Sequence, residues 1–151
     1  MPKKFTLTTR PLSLPQVSKL LADSTQLELN RKVHKQIADC HQFIEKKLST
    51  DNQLYYGINT GFGSLCNISI NAEQTVELQT NLIRSHSCGT GDEVPADVVR
   101  LILLLKIKNL SLGYSGVRPV LVNRLVDFYN HNVLPQIFQL GSLGASGDLA
   151  P

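Results

Sequence analysis

Two glycine-rich stretches carry the side chains of this sequence that are best suited to chemistry. Residues 55–63 read Tyr-Tyr-Gly-Ile-Asn-Thr-Gly-Phe-Gly, and residues 141–148 read Gly-Ser-Leu-Gly-Ala-Ser-Gly-Asp. Each stretch has three glycines within seven residues, a density that prevents a stable helix and permits unusual backbone angles. Tyrosine can act as an acid or base, and serine can act as a nucleophile. We therefore expect the functional site at these two loops.

Common glycine-loop motifs do not account for either stretch. The first lacks the Gly-x-Gly-x-x-Gly order of a dinucleotide site, and the sequence contains no Gly-Lys-Ser or Gly-Lys-Thr of a phosphate loop. Ser146 lacks the glycine two residues later that a nucleophile elbow needs, because Gly147 is adjacent and Asp148 follows. Taken alone, the second stretch is also consistent with an ordinary tight turn.

Together, the two stretches resemble motifs of the aromatic amino-acid lyases. The likeness rests on Gly-Ala-Ser-Gly-Asp-Leu-Ala-Pro at residues 144–151 and on Tyr-Gly-Ile-Asn-Thr-Gly-Phe-Gly at residues 56–63. Residues 81–86 and 111–119 resemble two further segments of the same proteins. Four motifs in the family's order, spread over nearly the whole chain, make this resemblance specific.

The resemblance implies that Ala145, Ser146 and Gly147 form an electrophile, 4-methylidene-imidazol-5-one, by autocatalytic cyclisation. The nitrogen of Gly147 would attack the carbonyl of Ala145, and glycine has no side chain to oppose that close approach. Ser146 would then lose its hydroxyl as water. Because the chain would supply its own electrophile, we expect no external cofactor.

The resemblance assigns the acid/base role to Tyr56 and a substrate contact to His86. A phenol is a weak base at neutral pH, so Tyr56 would need a positive or hydrogen-bonding environment. The alternative for a tyrosine here is a half-buried loop aromatic, the role that we expect for Tyr55. For a histidine near a helix end, the alternative is a satisfied polar group.

The histidine at position 86 indicates which amino acid is the substrate. An imidazole can exchange a hydrogen bond with the side chain of histidine or tyrosine, whereas phenylalanine would leave it unmatched. We expect the complete protein to convert L-histidine to trans-urocanate and ammonia, with conversion of tyrosine to coumarate as the alternative. A different class remains open, a non-catalytic helical module for assembly or binding.

The elements that must position these loops are predominantly helical, so the predicted fold is mainly α. The resemblance implies that it is the N-terminal helical portion of a larger all-α lyase fold. Apolar spacing and capping residues predict helices over residues 13–22, 30–48, 71–85, 95–110 and 119–131. The helix over 95–110 is apolar nearly all round, which predicts burial on most of its circumference. Residues 5–7 and 68–70 could each form a short strand.

The composition of the sequence argues against a nucleic-acid-binding, membrane-spanning or metal-binding protein. The 151 residues carry a net charge of +3, with scattered basic residues and no tryptophan, which argues against nucleic-acid binding. No apolar stretch is long enough for a membrane span. The three cysteines are widely spaced and His34, His41 and His131 have no ligand partner at useful spacing, so we expect a reducing cytoplasm and no metal.

The resemblance also concerns the extent of the chain and its assembly. Members of the family are several times longer and assemble as tetramers, so residues 1–151 are interpreted as an N-terminal portion truncated just after the Ala-Ser-Gly motif. We expect a homotetramer for the complete protein, and no activity from this portion alone.

Overall fold

Five α-helices and four short strands make up most of the described chain in a computed structural model, which describes residues 3–22, 25–51 and 53–141. In chain order the elements are β1 (Lys4–Leu7), α1 (Leu14–Ala22), β2 (Gln26–Leu29), α2 (Arg31–Thr50), a 3₁₀ helix (Gly63–Leu65), α3 (Ala72–His86), β3 (Thr90–Glu93), α4 (Ala96–Leu110), α5 (Pro119–Asn130) and β4 (Phe138–Leu140). The prediction of a mainly α fold is confirmed.

These elements divide into two compact units. The first takes in the described residues up to 50 together with Val94–Gln136, and the second takes in Asp51–Glu93 and residues 137–141. Residues 51–93 of the second unit are therefore inserted, along the chain, between α2 and α4 of the first, and residues 137–141 follow α5.

Helix boundaries follow the local signals in the sequence. In front of α1, the side chain of Gln16 accepts a hydrogen bond from the Ser13 amide at 2.9 Å, as in a capping box. Asn71 caps α3 by accepting from the Gln74 amide at 2.8 Å, as predicted. Pro119 occupies the first turn of α5, where its missing N–H is harmless.

The first unit holds the apolar core. The parallel pair β1 and β2, with Leu7 opposite Leu29, packs with α1, α4 and α5. The main cluster consists of Leu7, Leu20, Leu27, Leu103, Leu104, Ile107, Val126 and Tyr129. A second cluster joins Val33 and Ile37 of α2 to Leu110 and Val122.

Tyr129 is the largest fully buried side chain of this core. Its hydroxyl donates a hydrogen bond to the Leu20 carbonyl oxygen at 2.8 Å, and the Arg100 guanidinium lies 4.0 Å from the ring centroid. Burial raises the pKa of this phenol, an effect that the nearby Arg100 charge opposes.

Helix α4 is less buried than the sequence predicts. One face is buried, but Val98, Ile102 and Leu105 are 40 to 48% exposed. Lys108 is on the buried face, where its ammonium donates to the Thr8 carbonyl oxygen and desolvation lowers its pKa. The apolar pattern predicted the helix correctly but not how much of its circumference would be covered.

The connection between α4 and α5 packs closely on α2. Gly113 has a φ of +72°, and a side chain there would approach the backbone of Gln36 to 3.1 Å. The carbonyl of Gly116 lies 3.0 Å from Nδ1 of His41. His41 is thus half-buried, whereas His34 and His131 are exposed.

The second unit contains α3, the 3₁₀ helix and the antiparallel pair β3–β4. Residues 68–70 form no strand, because only Ser69 makes an isolated bridge, to Thr60. Among the side chains described in this unit, no apolar one is buried. Hydrogen bonds and close backbone packing must therefore hold this unit together.

Replacing Tyr129 by phenylalanine tests the buried hydrogen bond in the first core. Because the Leu20 carbonyl would lose its donor, we expect a loss of about 1–3 kcal/mol in the free energy of unfolding at neutral pH. The raised pKa makes wild-type stability fall as the pH rises above about 10, where the unfolded phenol ionises first. Urea unfolding at pH 7 and above pH 10 should show this alkaline loss in the wild type and a smaller one in the variant. An unchanged stability at pH 7 would contradict the role of the bond.

Candidate active site

The first glycine-rich stretch is held at its base by the side chain of Asn59. Its Oδ1 accepts a hydrogen bond from the Tyr55 amide at 2.7 Å, and its Nδ2 donates to the Gln53 carbonyl oxygen at 2.9 Å. The Tyr55 hydroxyl donates to Oδ2 of Asp51 at 2.7 Å, and this ring is half-buried as predicted. These bonds fix the chain immediately before Tyr56.

Tyr56 projects from the turn that follows this base. Its side chain is 65% exposed, and its ring meets that of Phe62 edge-on, with 6.1 Å between centroids. The Gly63 amide donates to the Tyr56 hydroxyl oxygen at 3.4 Å. Gly63 has a φ of +57°, which a residue with a side chain rarely adopts. The backbone thus brings a donor to the phenol oxygen, the kind of partner that a phenolate needs.

The middle of the stretch contains a contact that the sequence did not reveal. Thr60 is 1% exposed, and its hydroxyl bonds to the Gly61 carbonyl oxygen at 2.8 Å. A side chain at Gly61 would come within 2.9 Å of the Leu65 carbonyl oxygen. The glycine at position 61 is therefore required by close packing against the 3₁₀ helix.

His86 is the last residue of α3 and is half-buried. Its Nδ1 lies 2.8 Å from the Leu82 carbonyl oxygen and 3.0 Å from the Ser85 hydroxyl. Because a carbonyl oxygen only accepts, we assign the proton of the neutral ring to Nδ1. Nε2 is then a hydrogen-bond acceptor, and no described residue bonds to it.

The predicted site residues are brought together only in part. Tyr56 and His86 lie in the same unit, and each makes its hydrogen bonds within its own segment. Ala145, Ser146 and Gly147 lie outside the described residues. Strand β4, which ends at Leu140, is the described element that precedes them in the chain.

Many apolar side chains of the second unit are open to solvent. Those at least 39% exposed are Leu54, Tyr56, Ile58, Phe62, Leu65, Ile68, Val76, Ile83 and Leu140. A surface of this composition is typical of a region that other protein segments cover. Across the described part of the chain, no group of three metal-ligating side chains occurs, and no helix is long and apolar enough to cross a membrane.

Comparison with known proteins identifies the family. The sequence model of the family named aromatic amino acid lyase matches residues 12–151. The chain belongs to this family. Histidine ammonia-lyase of Legionella pneumophila strain Corby is 48% identical over 151 residues, which are all of this chain and 30% of that protein. The chain therefore spans about a third of the length of the curated relatives that it matches.

Solved structures of related enzymes share the fold. Histidine ammonia-lyase from Trypanosoma cruzi is 31% identical with a TM-score of 0.78, covering 97% of this chain and 28% of its own. The ergothionase of Treponema denticola is 26% identical with a TM-score of 0.88, covering 98% of this chain and 29% of its own. The chain thus has the fold of one portion of these longer aromatic amino acid lyase structures, of which it covers 28 to 29%. The sequence resemblance to the family is confirmed.

Replacing Asn59 by alanine tests how the base of the first stretch is held. Two hydrogen bonds, each worth about 0.5–1.5 kcal/mol, would be lost, and the turn that carries Tyr56 should open more often. Hydrogen exchange followed by mass spectrometry should show faster exchange across residues 53–63 in the complete protein. Gln79→Ala, at an exposed position on α3, is the control and should leave exchange in this segment unchanged. Equal exchange in wild type and Asn59→Ala would contradict the proposed role of Asn59.

Proposed function

We propose that the complete protein is an ammonia-lyase that converts L-histidine to trans-urocanate and ammonia, and that residues 1–151 are its N-terminal portion. The observation that carries the proposal is the arrangement of His86, whose Nδ1 bonds to its own helix and whose Nε2 remains an acceptor. The imidazole N–H of histidine would donate to Nε2. The relatives named histidine ammonia-lyase, up to 48% identical over this chain, support the same substrate.

The same acceptor makes tyrosine the second candidate. A phenol hydroxyl would also donate to Nε2 of His86, whereas the ring of phenylalanine has no donor and would leave Nε2 unmatched. Conversion of tyrosine to coumarate is therefore compatible with this residue. The high identity to proteins named for histidine favours histidine.

Tyr56 is proposed as the base that removes the proton from Cβ of the substrate. The Cβ–H electron pair then becomes the second bond of the alkene while the Cα–N bond breaks and ammonia leaves. The Gly63 amide, 3.4 Å from the Tyr56 oxygen, would stabilise the phenolate by donating to it. The exposure of the phenol leaves it accessible to a substrate molecule.

Ala145, Ser146 and Gly147 are proposed to form and hold 4-methylidene-imidazol-5-one. Their residue types fit this group, and the chain leaves β4 at Gly141 with a φ of 145°, a backbone angle that favours glycine. The group would supply an electrophile that makes the amine a better leaving group. No external cofactor is then required.

We also propose that the complete protein is a homotetramer. Apart from Tyr56, the exposed apolar side chains of the second unit favour coverage by other subunits in the assembled protein, because no apolar side chain described in this unit is buried. Light scattering of the complete protein would measure its mass directly, and a monomer would refute this part of the proposal.

The activity can be tested by giving the complete protein histidine and tyrosine in parallel. Formation of urocanate, followed by its ultraviolet absorbance, is expected to exceed formation of coumarate in kcat/KM, because the relatives of highest identity among those compared are named for histidine. If coumarate is the main product, the substrate is tyrosine rather than histidine. The absence of both products would favour the non-catalytic binding module.

Removing the hydroxyl of Tyr56 tests the proposed base, and its neighbour provides a matched control. Tyr56→Phe should lower kcat for histidine by about 10²- to 10⁴-fold, because proton transfer would lose its base. Tyr55→Phe removes a hydroxyl that bonds to Asp51 and should lower kcat by much less. Steady-state kinetics of both variants check this, and a larger loss in Tyr55→Phe would reverse the two assignments.

His131 provides a matched control for a substitution of His86, because the two side chains make the same hydrogen bond. Both residues bond through Nδ1 to the carbonyl four residues earlier, at 2.8 Å, but His131 lies at the end of α5 in the first unit. His86→Ala should lower kcat/KM for histidine by about 10- to 100-fold, the cost of a lost polar contact to the substrate. His131→Ala should leave it nearly unchanged. Equal effects would show that helix capping, not substrate contact, explains His86.

A further inference from the structure

The strand pair β3–β4 connects the segment after His86 to the segment that leads into the Ala-Ser-Gly tripeptide. The strands run antiparallel, with Thr90 opposite Leu140 and Glu93 opposite Phe138. Thr90 comes four positions after His86, and Leu140 comes five positions before Ala145. This ribbon therefore joins a proposed substrate contact to the proposed precursor of the electrophile.

Two glycines allow the strands of this ribbon to approach closely. A Cβ at Gly89 would lie 2.9 Å from Cδ2 and 3.1 Å from Cβ of Phe138, closer than carbon atoms can pack without a shift. A Cβ at Gly91 would lie 3.1 Å from Cδ1 of Leu140, and Gly91 also has a φ of +80°. Each glycine thus faces one of the side chains of β4 across the ribbon.

A third contact extends the attachment beyond the end of β4. The thiol of Cys88 donates to the Gly141 carbonyl oxygen at 2.8 Å. Residues 88–91 thereby contact residues 138–141 at three points. The path of β4 up to Gly141 is consequently set by the residues that directly follow α3.

We propose that Gly89 and Gly91 are positioning residues that hold β4 so that the tripeptide can cyclise. This inference rests on the proposed function. Attack of the Gly147 nitrogen on the Ala145 carbonyl requires a compressed backbone, and fixing the upstream end of the segment removes conformational freedom before the reaction. A methyl group at residue 89 would push Phe138, and β4 with it, out of this position.

A double-mutant cycle in the complete protein tests the contact between Gly89 and Phe138. Gly89→Ala should slow cyclisation by about tenfold or more, since a misplacement of about 1 Å can cost a hundredfold in rate. In a protein that already carries Phe138→Ala, the 2.9 Å contact with the ring is removed and only the 3.1 Å contact with Cβ remains, so Gly89→Ala should slow cyclisation by a smaller factor than in the wild type. Intact mass after a pulse of cell-free synthesis gives the rate, as the loss of two water molecules from residues 145–147, one carrying the Ala145 carbonyl oxygen and one carrying the Ser146 hydroxyl oxygen.

The control is Asp92→Ala, an exposed position on β3, which should cyclise at the wild-type rate. Circular dichroism confirms that each variant is folded. Cyclisation of Gly89→Ala at the wild-type rate would overturn the inference, as would an equal effect of this change with and without the Phe138 ring. If Gly89→Ala does not fold, Phe138→Ala alone, which inserts no atom, should still slow the reaction several-fold, and a wild-type rate in that variant would also overturn it.

The mass measurement separates this inference from the proposed function. If the wild-type complete protein loses no water, the proposal that residues 145–147 form the electrophile is wrong. If the wild type loses two water molecules and all variants do so equally fast, the positioning role of Gly89 and Gly91 is wrong, but the proposed electrophile is retained.

Discussion

Among the residues that the structure describes, the second unit has no buried apolar side chain, and this constraint governs how its candidate site residues are held. Where a core is present, as around Tyr129, apolar packing fixes side-chain positions. In the second unit, positions are fixed by the Asn59 amide, by the cap at Asn71, and by close packing of Gly61 on the Leu65 backbone and of Gly89 on the Phe138 side chain. Each of these is local and directional, so the positions of Tyr56 and His86 depend on a few specific groups.

The sequence predicted the helices well because their apolar spacing and capping residues are local signals. The cap at Asn71 and the start of α5 at Pro119 were both readable in this way. The strands β3 and β4 were not, since Thr-Gly-Asp-Glu has no strand-like alternation and its partner lies more than forty residues later. Pairing between distant segments depends on tertiary structure, which a local pattern does not contain.

The candidate site was predictable as a set of residue types but not as a set of hydrogen bonds. The choice between Tyr55 and Tyr56 followed from the family resemblance, and the half-buried ring of Tyr55 agrees with it. The acceptor state of Nε2 in His86 depends on the Leu82 carbonyl, which no sequence pattern specifies. His131 makes the same bond at another helix end, so the bond alone does not distinguish a substrate contact from a helix cap.

The order of the two units along the chain has a consequence for synthesis on the ribosome. Leu7, Leu20 and Leu27 bury their side chains against α4 and α5, which are made only after the whole of residues 51–93. During translation, the first fifty residues must therefore remain without their core partners while the loop that carries Tyr56 emerges. Partly folded chains with exposed apolar surface are prone to aggregate. Chaperone binding to nascent chains should accordingly be strongest before α5 is complete and should decline once Tyr129 can reach Leu20.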